Sequence, residues 1–160
     1  MPNPPVNRPK PSKQQNSGPT TDIVTSIIKT IKSLEPGLQA YNIRELVIDT
    51  SKFGPYLRNQ RLETNQVRKF LDAINRVKAS SIEDVDGSSQ QKSKSFSDIE
   101  DDIVLLKPKL AYAAARQAAA KPLSDVISAA IDKVHSLEDF KRLVQFIEST
   151  IAYHKAAGGK

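Results

Sequence analysis

The stretch TNQVRKFLDAINRVKA, residues 64–79, has the most regular apolar pattern in the chain. Its apolar side chains recur at intervals of three and four residues, at Val67, Phe70, Leu71, Ile74 and Val77. This spacing places them on one face of an α-helix. Thr64 is a suitable N-cap, because a threonine hydroxyl oxygen can accept a hydrogen bond from the free N–H groups of the first turn. The stretch therefore predicts an amphipathic helix from Thr64 to about Ala79.

The N-terminal side of this helix predicts two further helical segments. The first spans about 22–34, with Thr21 as its N-cap, and the second spans 42–49. Gly54-Pro55 predicts a turn, after which a short helix continues through Arg58.

A long helix is predicted over 98–120. Ser97 and Glu100 have the spacing of a capping box at its start. We expect Pro108 to kink this helix without ending it, since good helix formers continue beyond it.

Two more helices follow towards the C-terminus. One spans about 122–134, and the other begins after Ser136, whose spacing from Asp139 suits an N-cap, and ends near Gly158. No segment shows the alternation of a strand. The sequence therefore predicts an all-α protein, a compact bundle of five to six helices.

Two segments are too polar to join a core. Residues 1–19 hold six of the ten prolines, together with three basic residues and no acidic one, and they predict a disordered, basic N-terminal tail. Residues 80–97 are rich in Ser, Gln, Asp and Lys, and they predict a mobile internal loop. The remaining residues, within 20–160, predict a single helical domain.

The composition excludes several classes of protein. The chain has no cysteine, which rules out disulfides, cysteine-bound metals and thiol nucleophiles. No apolar run reaches the roughly 20 residues that a membrane-spanning helix needs, and the N-terminus lacks the apolar segment of a secretory signal. We expect a soluble cytoplasmic protein without a membrane partner.

Residues that could support catalysis are sparse. Neither histidine, His135 or His154, has an evident partner, and His154 extends an apolar stripe, which favours a place at the core edge. Asp98 and Asp102 could share a Mg²⁺ ion on one helix face, although acidic residues are also favoured in the first turn of any helix. No phosphate-binding loop, nucleophile motif or dinucleotide motif is present. We therefore expect no enzyme activity, cofactor, metal or small-molecule substrate.

The basic residues are clustered, which suggests a polyanionic partner. The net charge is +6 and the isoelectric point about 9.5. Residues 52–78 contain seven basic and two acidic residues, and residues 107–121 contain four basic residues and no acidic one. Such blocks are typical of nucleic-acid binding, but they can also simply solvate helix faces.

Within these blocks we select candidate RNA-binding residues. Lys109, Tyr112 and Arg116 share one helical face, on which a tyrosine lies among cations that could contact phosphates. The same cations could instead stabilise the C-terminal end of their helix. The other candidates are cations of the two blocks, Lys52, Arg58, Arg61, Arg68, Lys69, Lys107 and Lys121. For helix 64–79 the alternative is a salt ladder through Arg68, Asp72 and Arg76.

Three segments resemble the small subunit of type III-A (Csm) CRISPR effector complexes. LETNQVRKFLDAI (62–74) resembles the family's Leu-Thr-Thr-Ser-Gln-Leu-Arg-Lys-Phe signature, and LLKPKLAYAAARQ (105–117) is similar to its helix ending in Tyr-x-Ala-Gly-Arg. SLEDFKRLVQFIESTIAYHKAAGGK (136–160) resembles its C-terminal helix with Ala-Tyr-x-Lys and a Gly-Gly-Lys end. The resemblance extends over about 40–160.

The resemblance implies an all-α, non-catalytic subunit that is present in several copies along a ribonucleoprotein filament. It implies contacts with the repeated backbone subunit and the large subunit, and phosphate contacts with guide RNA and target RNA in the channel where they pair. The family's two arginines correspond to Arg68 and Arg116, and its terminal lysine to Lys155. A competing hypothesis is a helical adapter that binds only protein, its basic faces meeting an acidic partner.

Overall fold

The computed structural model describes residues 2, 5, 19–81 and 95–158. These residues contain seven α-helices, two 3-10 helices and no strand, which confirms the all-α prediction. The α-helices are α1 (Pro19–Lys32), α2 (Ile43–Asn59), α3 (Thr64–Ser81), α4 (Phe96–Val104), α5 (Leu106–Arg116), α6 (Lys121–Ile131) and α7 (Leu137–Ala156). The 3-10 helices span Leu38–Ala40 and Ala118–Ala120.

The centre of the fold is the pair formed by α2 and α7, which run in the same direction. Near their N-terminal ends, the N–H of Gln39 donates to the Asp139 carboxylate at 2.8 Å. Near their C-terminal ends, Gly54 packs against the backbone of His154. Between these points, the Phe146 ring lies 6.1 Å from the Tyr41 ring and 6.4 Å from the Phe53 ring, measured between centroids. Helices α1, α3 and α6 pack against this pair, and α4 and α5 form an outer layer on α3 and α6.

Helix α2 is continuous from Ile43 to Asn59, so the predicted turn at Gly54-Pro55 is wrong. Pro55 cannot donate the helical hydrogen bond to the carbonyl four residues earlier, which weakens the helix. Phe53, Gly54 and Leu57 are all buried, and their burial offsets this loss. Gly54 is required for the contact, since a Cβ there would lie 2.6 Å from the backbone nitrogen of His154.

The helix predicted over 98–120 is divided at Leu105 into α4 and α5, which corrects the prediction of a single kinked helix. Pro108 explains the position of the division. Its ring conflicts with the carbonyl of the residue four positions earlier, Val104, which is the last residue of α4. Pro108 then lies in the first turn of α5, where its missing N–H is not needed. Helix α5 ends at Arg116, and residues 118–120 are 3-10 helical.

Several predicted helix starts shift by a few residues. Helix α1 begins at Pro19, so Thr21 lies inside it and is not the N-cap. Thr64 is the first residue of α3, and its hydroxyl oxygen is buried without a hydrogen-bond partner, so it does not cap the helix. At α4, the capping pair is Ser95 and Asp98 and not Ser97 and Glu100: the Ser95 N–H donates to the Asp98 carboxylate at 2.9 Å.

Both predicted features of the last helix are confirmed. The Ser136 hydroxyl accepts a hydrogen bond of 3.1 Å from the Asp139 N–H. Gly158 has a φ of +89°, the left-handed conformation expected just after a helix end. Helix α6 is shorter than predicted, and ends at Ile131.

The predicted tail and loop lie mostly outside the described residues. Pro19 belongs to α1, residues 80–81 belong to α3, and 96–97 belong to α4, so the predicted boundaries 1–19 and 80–97 are too wide. Of the helices described, none is long and apolar enough to cross a membrane.

Candidate nucleic-acid interface

A groove separates α3 from α5, which run in opposite directions. The N-terminal part of α3 faces the C-terminal end of α5, because Gln66 and Arg116 line the same cavity. Further along, Val77 of α3 and Leu106 of α5 line a second cavity. The first cavity has a volume of about 430 Å³. Its lining defines the α3–α5 groove: Gln66, Lys69, Phe70, Ala73, Lys109, Tyr112, Ala113, Arg116 and Gln117.

The second cavity extends the groove towards the junction of α4 and α5. Its volume is about 560 Å³, and it shares Ala73 and Lys109 with the first. It adds Arg76 from α3 and one acidic residue, Asp102 from α4. The exposed side chain of Leu105 lies at its edge.

The cations of the two cavities are arranged in the same way on both helices. Lys69 and Arg76 lie seven residues apart on α3, and Lys109 and Arg116 lie seven residues apart on α5. Seven residues are close to two helical turns, or about 10.5 Å along the axis. Each wall therefore presents one cation near each end of an apolar middle section.

None of these four cations forms an ion pair with another described residue. The ion pairs within the described part of the chain involve other residues: they join Lys78 to Glu148, Lys107 to Asp132, Lys121 to Asp125, Lys133 to Glu35, and Lys141 to Glu138. The salt ladder considered for α3 is therefore absent: Asp72 pairs with neither Arg68 nor Arg76. The four groove cations keep their charge available to an anion.

Tyr112 stands between Lys109 and Arg116 on the α5 wall. Its side chain is 64% exposed. Arg116 donates a hydrogen bond of 3.2 Å to the tyrosine hydroxyl, and the guanidinium carbon lies 5.7 Å from the ring centroid. The guanidinium thus lies over the ring while it also bonds the hydroxyl. A contact of this kind at an exposed site stabilises by about 0.5–1 kcal/mol, enough to orient both side chains.

The other two candidates from the second basic block point elsewhere. The Lys107 ammonium lies 2.5 Å from the Asp132 carboxylate, and the Lys121 ammonium lies 3.1 Å from the Asp125 carboxylate. Neither residue lines the α3–α5 groove. The sequence grouped these lysines with Lys109 and Arg116 because all four are close in the chain, but Lys107 lies on another side of α5 and Lys121 belongs to α6.

The candidates before α3 and at the C-terminus belong to a different part of the surface. The Arg58 guanidinium, at the end of α2, lies about 3.5 Å from the position that a Cβ on Gly158 would take. Lys155 is exposed in the last turn of α7, and Arg61 follows α2 with a φ of +64°. Lys52 is exposed on α2. These residues do not line the groove.

Arg68 is also exposed but lies outside the groove lining, although its neighbour Lys69 is part of it. Four of the predicted site residues are therefore brought together, namely Lys69, Lys109, Tyr112 and Arg116.

Sequence reasoning did not select three polar residues of the groove. Arg76 was assigned to a salt ladder, although its spacing from Lys69 repeats that of Arg116 from Lys109. Gln66 and Gln117 carry no charge, so nothing in the sequence pattern selected them as RNA-binding candidates. Their placement around Tyr112 depends on the antiparallel packing of α3 and α5, which the sequence pattern alone does not specify.

Two of the residues considered for catalysis, Asp98 and His154, have structural roles. Asp98 takes part in the cap of α4. His154 is 1% exposed, as predicted for a core residue, and its Nε2 lies 2.8 Å from the carbonyl oxygen of Leu62. Within the described ranges, no group of three or more metal-ligating side chains could hold a metal ion.

Comparison with known proteins bears on this arrangement. The family model of Csm2, type III-A, matches residues 40–160. The "CRISPR system Cms protein Csm2" of Streptococcus thermophilus is 30% identical over 104 residues, which cover 64% of this chain and 78% of that protein. No solved structure gives a significant match. The matched region contains both walls of the groove and the α2–α7 core, and the chain belongs to the Csm2 family, the small structural subunits of type III-A CRISPR effector complexes.

Proposed function

We propose that this chain binds RNA through phosphate contacts in the α3–α5 groove and acts without catalysis in its complex. The arrangement of Lys69, Arg76, Lys109 and Arg116 carries the proposal, because it presents four cations along two facing helices, and none of them forms an ion pair within the part of the chain that the structure describes. Side chains that hold phosphates position RNA without reading its sequence. Pairing between guide RNA and target RNA supplies the sequence recognition, and the subunit needs only to line the channel.

The proposed partners follow from this role. They are guide RNA and target RNA, the repeated backbone subunit, the large subunit, and further copies of this chain along the filament, all in the cytoplasm. The exposed apolar side chains Ile43, Val47 and Ile48 of α2 offer a surface for protein contacts away from the groove. They also support the alternative function, a helical adapter that contacts only protein.

A pair of alanine substitutions on α5 separates the two functions. Lys109 lines the groove and Lys107 does not, yet both substitutions remove one positive charge from the same helix. We expect Lys109→Ala to weaken binding of single-stranded RNA and to reduce the slope of log K against log salt by about 0.7. Lys107→Ala should leave the slope close to that of the wild type.

The measurement is RNA affinity at several salt concentrations, made with the full chain and with the assembled complex. Equal effects of the two substitutions would assign binding to overall charge and not to the groove. Absence of RNA binding in both samples would favour the adapter.

A further inference from the structure

The ring of Tyr112 offers an open aromatic surface inside the α3–α5 groove. The residue is 64% exposed, although the Arg116 guanidinium lies over part of the ring. The groove beside it contains the small side chains of Ala73 and Ala113, which leave room over the ring. This tyrosine therefore lines a concavity of about 430 Å³.

The α3 wall of the groove supplies an amide with unused hydrogen-bonding capacity. Gln66 lines the cavity, and its Oε1 atom is buried without a hydrogen-bond partner among the described residues. A buried polar atom without a partner is costly, and a ligand that donates a hydrogen bond to it removes the cost once the Gln66 side chain turns its amide towards the groove. Gln117 places a second amide at the same end of the groove.

A flat aromatic ring, amides and flanking cations suit the three parts of a single-stranded nucleotide. Bases stack on aromatic side chains irrespective of their identity, amides bond base edges, and cations hold the phosphates. A duplex cannot use the ring or the amides in this way, since its bases are already stacked and the major groove of A-form RNA is too narrow to admit side chains.

We propose that the α3–α5 groove holds an unpaired nucleobase of a single-stranded RNA segment, stacked on Tyr112 and hydrogen-bonded to Gln66. Lys109 and Arg116 hold the phosphates on either side of this base. The inference rests on the proposed RNA-binding function and adds that one base is taken out of pairing at this subunit.

The test compares three ligands of equal length on the full chain: a single-stranded RNA of mixed sequence, the same strand with abasic positions, and a blunt RNA duplex. We expect Tyr112→Ala to weaken binding of the single strand by about 5- to 150-fold. Binding of the abasic strand and of the duplex should stay unchanged. Tyr112→Phe keeps the ring but loses the hydroxyl that accepts the Arg116 hydrogen bond, so it should keep the preference for the single strand over the abasic strand. Both variants should melt close to the wild type because the side chain is exposed.

A fluorescent base reports the stacking directly. A single strand that contains 2-aminopurine should be quenched on binding to the wild type and to Tyr112→Phe, but not to Tyr112→Ala. Gln66→Met removes the amide at similar size, and it should reduce discrimination among the four bases while leaving the quenching and the abasic affinity unchanged.

The outcomes separate this inference from the proposed function. Lys109→Ala should weaken binding of all three ligands if the groove holds phosphates. Equal affinity of the wild type for all three ligands, with no effect of Tyr112→Ala on affinity or quenching, would overturn the stacked base and leave phosphate binding intact. A wild-type chain that binds none of the three would overturn both.

Discussion

The carboxylate of Asp139 accepts a hydrogen bond of 2.8 Å from the backbone N–H of Gln39, a residue 100 positions earlier in the chain. Its second oxygen accepts a bond of 2.8 Å from the N–H of His135. The side chain is 1% exposed. One buried carboxylate thus joins the segment before α2 to the start of α7.

Asp139→Ala is expected to lower the free energy of unfolding by about 2–4 kcal/mol, because it removes the charged acceptor of two part-buried N–H donors. Thermal or urea unfolding of the purified chain measures the effect. Glu138→Ala is the matched control, since this neighbouring carboxylate is exposed and pairs only with Lys141. Similar losses for the two substitutions would contradict the structural role assigned to Asp139.

Gly54→Ala should destabilise the fold by about 1–3 kcal/mol through overpacking. The added Cβ would approach the backbone nitrogen of His154 to 2.6 Å, and backbone cannot move aside as a flexible side chain can. Ser51→Ala, one turn earlier on α2, should cost less because its hydroxyl bonds only the carbonyl of Ile48 at the surface. A Gly54→Ala chain as stable as the wild type would show that α2 and α7 are less tightly packed than described.

Alkaline pH is expected to destabilise the chain through Tyr41. Burial, reinforced by the hydrogen bond from the Tyr41 hydroxyl to Asp49, raises the pKa of Tyr41 above its usual range. The unfolded chain loses this proton near pH 10, while the folded chain retains it. Stability from the neutral hydroxyl is therefore complete below about pH 10 and declines as the pH rises further. Tyr41→Phe should flatten this decline, measured as urea unfolding at several pH values, and an unchanged slope would argue against the assignment.

Arg116→Ala should weaken RNA binding similarly for all base sequences and lower the salt slope by about 0.7, because phosphates carry no base identity. Arg116→Lys should retain part of the affinity, since it keeps the charge but loses the planar donor fork that also meets the Tyr112 hydroxyl. If Arg116 only stabilises the end of α5, alanine would change the melting temperature and not the affinity.

Arg68→Ala tests a contact that the family resemblance implies but the groove does not include. We expect a loss of RNA affinity in the assembled complex and a smaller one in the isolated chain, because Arg68 lies on the outer flank of α3, where a second surface is needed to bring RNA to it. Affinity that stays unchanged in both samples would confine RNA binding to the groove.

The sequence pattern was informative wherever a helix buries one face. The stripe of α3 and the cap and stop of α7 are local signals, and the structure follows them closely. Pro55 and Pro108 were misjudged for a shared reason: a proline's effect depends on the packing and on the position within the helix. At Pro55, burial of Phe53 and Leu57 maintains the helix, whereas at Pro108 a new helix begins two residues earlier, at Leu106.

The candidate site was predictable only in part. Charge and spacing on α5 identified Lys109, Tyr112 and Arg116, because these residues share one face of one helix. The partnership of α5 with α3, which adds Arg76 and Gln66, depends on tertiary packing. The position of Lys107 and Lys121 outside the groove also depends on tertiary packing. Lys107 pairs with Asp132 of a neighbouring segment, and Lys121 pairs with Asp125 one turn along α6.

The parallel pairing of α2 with α7 affects how the chain can fold during synthesis. The contacts between the two halves span 92 residues from Leu62 to His154 and 100 residues from Gln39 to Asp139. Contacts between such distant segments raise the contact order, and a higher contact order slows folding. Leu46, Phe53 and Leu57 of α2 leave the ribosome long before α7 exists to cover them. The nascent chain therefore carries an exposed apolar helix until its last helix emerges, and this interval is when it is most open to chaperones and to aggregation.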